Sequence, residues 1–157
     1  VIKFYEDQAI GEETVLGEHE FTREEIVEFA RQYDPQRFHV DEEAAKASIF
    51  GGLCASGWHT CCVAMRLIVD SRFAIRNAMI ARGEEVPPLG VSPGVTNMRW
   101  PNPTRPGDIV TYTSRVLSKR ETKRPQWGLV GIQTSATNQQ GLDVLSMDSL
   151  VFVGRRV

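Results

Sequence analysis

From Ser56 to Val69 the chain reads Ser-Gly-Trp-His-Thr-Cys-Cys-Val-Ala-Met-Arg-Leu-Ile-Val. Wound into a helix, these residues place apolar side chains nearly all the way round. A helix of that kind is stable only when most of its sides are buried. The run falls short of the roughly 20 residues that span a bilayer. The cover must therefore be protein, and the rest of the chain has to supply it. Gly51-Gly52 breaks the chain just ahead of this helix, residues 72–82 read as a further helix, and 83–88 read as a loop.

Upstream, Thr22-Arg23-Glu24-Glu25 has the form of a capping box. Ile26, Phe29, Ala30 and Tyr33 follow at i, i+3, i+4 and i+7, which predicts an amphipathic helix over 23–33. Asp41 with Glu42 and Glu43 opens a short helix over 42–47, its acids at the positive end of the dipole. From Leu89 the texture changes to short strands, at 91–100, 109–117, 129–137 and 142–153. Pro106-Gly107-Asp108 marks one turn between them, and Asn138-Gln139-Gln140-Gly141 marks a hairpin. Residues 13–21 offer one more strand. Helices followed by antiparallel strands make an α+β chain. The simplest arrangement is a sheet curled around the apolar helix, in a single domain over 1–157. A small sheet of this sort leaves an edge or a face open, so a homodimer or higher homo-oligomer is expected.

Charge narrows the function classes. The 157 residues hold 18 Lys plus Arg against 20 Asp plus Glu, a net charge of −2. That excludes the strongly basic balance of a nucleic-acid or anionic-membrane binder. Neither a Gly-x-Gly-x-x-Gly run nor a P-loop is present, so nucleotide binding has no support. Val1 to Asp7 lacks the charged and apolar regions of a signal peptide. The three cysteines, Cys54, Cys61 and Cys62, are odd in number and two are adjacent, which is no disulfide framework. They read as small buried hydrophobes, and a reducing cytoplasm is the expected location.

Two stretches carry chemistry. Asp34 falls at the C-terminal end of a predicted helix, where the dipole disfavours a carboxylate, and His39 follows five residues later. They read either as an acid–base pair or as an Asp-Pro turn with a loop histidine. The second stretch is Phe50-Gly51-Gly52-Leu53-Cys54-Ala55-Ser56-Gly57-Trp58-His59. Small residues opening an apolar helix leave free N–H groups that can hold an oxyanion. They equally suit a tight helix start packed against a neighbour. His59 and His19 have no carboxylate at a telling spacing. Arg115, Lys119, Arg120, Lys123 and Arg124 form a basic run, either a solvated loop or a phosphate contact.

Together the two stretches resemble the MaoC-like dehydratase family, which includes the R-specific enoyl-CoA hydratases. The resemblance runs through Tyr33-Asp34-Pro35-Gln36-Arg37-Phe38-His39, Asp41-Glu42-Glu43-Ala44-Ala45 and Phe50 to Gly57. These are similar to the family's Asp-x-Asn-Pro-x-His and later Ala-His-Gly. Trp100 to Asp108 resembles its strand-turn Pro-Val-x-Pro-Gly-Asp, and the likeness covers about residues 10–155. Gln36-Arg37 replace the Asn-Pro of the signature, and Ser56 replaces the His of Ala-His-Gly.

The resemblance implies a hot-dog fold, an antiparallel sheet wrapped around a long central helix, working as a dimer. It implies addition of water to a trans-2-enoyl thioester of CoA or an acyl carrier, or the reverse dehydration. Asp34 and His39 are then the catalytic pair, with the Gly57 N–H as oxyanion donor. Ser56, Phe50, Lys119 and Arg124 are expected to contact substrate, with no metal or cofactor. A hot-dog thioesterase would instead present a carboxylate from the central helix, and Ser56 to Val69 contains none. A non-catalytic acyl-binding protein would keep the groove without needing both Asp34 and His39.

Overall fold

The computed structural model describes residues 2–156. After a 3-10 turn at Tyr5–Asp7, strand β1 spans Glu13–Phe21. Helix α1 covers Arg23–Tyr33, as its periodicity demands, and the Thr22 side chain accepts the Glu25 N–H at 3.2 Å. Asp34 ends that helix. A short helix α2, Arg37–Val40, then precedes α3, Glu42–Lys46, which Asp41 caps through the Ala44 N–H. No periodic pattern announces α2, because four residues are barely one turn.

Helix α4 runs unbroken over Gly57–Ala81. The separate helix expected at 72–82 is its continuation. No Gly or Pro interrupts 70–72, and Asp70 takes an i,i+4 ion pair from Arg66 across the supposed break. The strands follow as β2 (Gly94–Arg99), β3 (Asp108–Glu121), β4 (Trp127–Asn138) and β5 (Asp143–Gly154). They make one antiparallel sheet in the order β1-β3-β4-β5-β2. Strand β3 outruns its expected end at Leu117 because the register shifts between Val116 and Ser118 and pairing resumes as far as Glu121.

The sheet curls over one face of α4, which is the hot-dog architecture. Ala64 and Leu67 pack against Val110, Tyr112, Ala136, Leu145 and Met147. The fully buried Tyr112 donates its hydroxyl to the Thr60 carbonyl at 3.2 Å, tying the first turns of α4 to β3. Gly17 lets the helix approach β1. A Cβ there would lie 3.0 Å from Leu67 Cδ2, and its φ of +149° is one that other residues rarely adopt.

The cover on α4 is one-sided, which corrects the reading of a helix buried on most sides. Trp58, Met65, Phe73 and Ile80 repeat along its outer face and each is more than half exposed. Five strands suffice to cover only one face of the helix. Cys62 is likewise exposed, whereas Cys54 is buried. No helix among the described residues is long and apolar enough to cross a membrane.

Candidate active site

Asp34 and His39 are brought together by the turn between α1 and α2. The Asp34 N–H closes α1 onto the Ala30 carbonyl, the Gln36 N–H turns back onto the Asp34 carbonyl, and the His39 N–H bonds to the Gln36 carbonyl. This folding places Asp34 Oδ2 3.5 Å from His39 Nε2. Pro35, directly after the aspartate, does not prevent the approach.

Three neighbours hold the carboxylate. Ser56 Oγ donates to Asp34 Oδ2 at 2.7 Å, and Gln36 Nε2 donates to Oδ1 at 2.9 Å. Burial pushes the Asp34 carboxyl upward. The hydrogen bonds from Ser56 and Gln36 and the nearby His39 more than reverse this, leaving it below its ordinary value. Asp34 is therefore an anion at neutral pH. The two substitutions in the signature acquire roles here, since Gln36 and Ser56 are the side chains that bond the acid.

The other side of His39 is fixed too. Its Nδ1 lies 2.7 Å from the Cys54 carbonyl, which can only accept, so Nδ1 carries the proton. In the neutral ring, Nε2 is left with a lone pair on the side of Asp34. His39 is buried, and Phe38 packs edge-on against its ring.

Ser56 also caps α4, accepting the Trp58 N–H at 3.3 Å. Gly57 is the first residue of that helix, so no intrahelical carbonyl can reach its N–H. A side chain is excluded there, because a Cβ on Gly57 would lie 2.5 Å from the Trp100 ring. Asp34, His39, Phe50, Ser56 and Gly57 all line one cavity of about 460 Å³. Its aromatic walls are Phe38 against Phe50 and Trp58 against Trp100. An aromatic-walled slot with an anion, an imidazole and a helix-start N–H can bind an acyl group and move protons at one end of it.

Lys119 and Arg124 are not at this cavity. Lys119 donates to the Gln8 carbonyl at 2.7 Å and lies over the Tyr5 ring, while Arg124 sits in the β3–β4 turn. The remaining histidines also differ from their reading. Glu25 Oε1 is 2.5 Å from His19 Nε2 and 3.6 Å from His59 Nε2, so one carboxylate serves both. The i,i+6 spacing across a strand–helix turn gives no pattern that would have announced this. Among the described residues no cluster of His, Cys, Asp or Glu suits a metal ion.

The MaoC like domain family matches residues 6–138, a span that includes this whole turn, the glycine loop and all of the cavity wall but Val144. The chain belongs to the MaoC-like family. It is 38% identical to a MaoC-like dehydratase from Rhodospirillum rubrum, with a TM-score of 0.82 and 99% of both chains covered. It is 29% identical over 134 residues to the uncharacterised YdeM of Bacillus subtilis, covering 85% of this chain and 86% of that one. The R-hydratase PhaJ1 of Pseudomonas aeruginosa shares the fold, with a TM-score of 0.67 at 20% identity over 99% of this chain and 88% of its own.

Proposed function

We propose that this MaoC-like protein is a hydratase/dehydratase acting on 2-enoyl and 3-hydroxyacyl thioesters of CoA or an acyl carrier. The observation that carries the reading is the 3.5 Å approach of Asp34 Oδ2 to His39 Nε2 on a cavity that Gly57 also borders. A water held between carboxylate and imidazole adds its oxygen to C3 of the enoyl group. One water proton passes to the pair, and the pair delivers a proton to C2, so the net change is addition of H2O. General acid–base catalysis needs both groups within hydrogen-bond reach of that water. As C3 is attacked, negative charge builds on the thioester oxygen, and the Gly57 N–H at the α4 N-terminus stabilises it.

The stereochemical outcome proposed is the R-3-hydroxyacyl product, and the working unit proposed is a homodimer. A panel of enoyl-CoA thioesters of graded chain length tests the reaction. Loss of the conjugated enoyl absorbance without release of free thiol supports hydration. Thiol release would assign a thioesterase instead, and binding without turnover an acyl-binding protein.

A further inference from the structure

Residues 50–55 belong to no helix or strand, yet they carry the carbonyl that fixes His39. Backbone groups outside regular structure must find their partners elsewhere. On one side the Cys54 N–H bonds to the Phe38 carbonyl at 3.4 Å. On the other, the Ala55 N–H bonds to the Thr104 carbonyl at 2.9 Å. Three of the segment's carbonyls turn onto a single side chain. Arg105 Nη1 donates to Gly52 O at 2.6 Å and to Leu53 O at 3.2 Å, and Nη2 donates to Phe50 O. Arg105 is itself anchored, its N–H donating to the buried Asp108 Oδ2 at 2.7 Å.

One planar guanidinium, with five donors in a fixed fork, thus gathers three carbonyls of an irregular loop. A lysine offers its donors from one point and cannot reproduce that span. Gly52 passes close enough that a Cβ there would touch Nη1 at 3.4 Å.

We propose that Arg105 is a positioning residue for His39. By holding the carbonyls of Phe50, Gly52 and Leu53 it sets where the next carbonyl in the chain, that of Cys54, stands. That carbonyl keeps the proton on His39 Nδ1 and leaves Nε2 free on the Asp34 side. A hydrogen bond at one ring nitrogen decides the state of the other, so loosening the loop releases the tautomer. The catalytic part of this inference rests on the hydratase reading, whereas the tautomer part does not.

The test uses the full chain with 15N-labelled histidine, as wild type, Arg105→Lys and Arg105→Ala, with His39→Gln to assign the resonance. At a pH where the His39 ring is neutral, wild type is expected as the Nδ1–H form, and both variants as a mixture of tautomers. Turnover of the best enoyl thioester is expected to fall about 10- to 100-fold in kcat with KM changed less than about threefold, the scale of a misplaced catalytic group. Arg105→Lys keeps the charge and the assay informative should Arg105→Ala fail to fold. The proposal is overturned if His39 stays wholly Nδ1–H in the folded variants, or if kcat falls only with the fraction folded. Were wild type to hydrate no enoyl thioester, the functional reading would fall while the ring-nitrogen spectrum still decided the role of Arg105.

Discussion

At the scale of single residues, the site turns on how Asp34 is held. Its carboxyl is lowered by Ser56, Gln36 and His39 against the opposing effect of burial. A group whose folded pKa is depressed contributes stability above its unfolded pKa, and loses it as pH falls through the folded value. The difference in melting temperature between wild type and Asp34→Asn should therefore be constant from neutral pH to about pH 5. It should then shift against wild type below the ordinary carboxylate value of about 4. A flat difference down to pH 2 would show that Asp34 is not held as an anion. Ser56→Ala removes both the bond to Asp34 and the cap on Trp58. A lost cap costs about 1 kcal/mol, so a urea titration should show at least that, together with a fall in turnover. The Asp34 and His39 pair was legible in the sequence because both residues sit within one turn of chain. The triangle of Glu25 with His19 and His59 was not, since it joins a strand, a helix and a second helix distant in sequence.

At the scale of elements, the start of α4 is the part with least freedom. Gly57 stands under the Trp100 ring with no room for a methyl group. Gly57→Ala is expected to displace Trp100 and cut kcat at least tenfold while leaving the far-UV circular dichroism unchanged, because Ala favours helix more than Gly does. Near-native activity in that variant would show that turnover does not depend on the Trp100 ring lying against residue 57. The strands at 13–21, 129–137 and 142–153 could be read because alternation and turn residues report local backbone preference. The length of α4 could not, since the apolar run ends at Val69 while the helix carries on through Asp70 and Ser71, with Arg66 paired to Asp70 along it. The grip of Arg105 on the glycine loop is a contact across more than fifty residues, beyond any local pattern.

For the whole molecule, Met65, Phe73 and Ile80 form an unpartnered apolar stripe on α4, running on from Trp58 at the cavity. Faces of this kind are usually covered in solution. Sedimentation at micromolar concentration is expected to give a mass of two chains, and Met65→Glu with Phe73→Glu to give one. A monomeric wild type would contradict the proposed homodimer. The composition lacks the strongly basic balance of a nucleic-acid binder but was silent on this face, because an exposed apolar stripe and a buried one have the same sequence.

The central claim is that Asp34 and His39 act as one acid–base unit. The most direct measurement is the rate of enoyl-absorbance loss for Asp34→Asn, His39→Gln and the double variant, against wild type on its best enoyl-CoA. Each single change is expected to cost roughly 10²- to 10⁴-fold, and the double change little more than either, since residues acting as a unit are strongly non-additive. A single variant that hydrates the substrate at close to the wild-type rate would contradict the account.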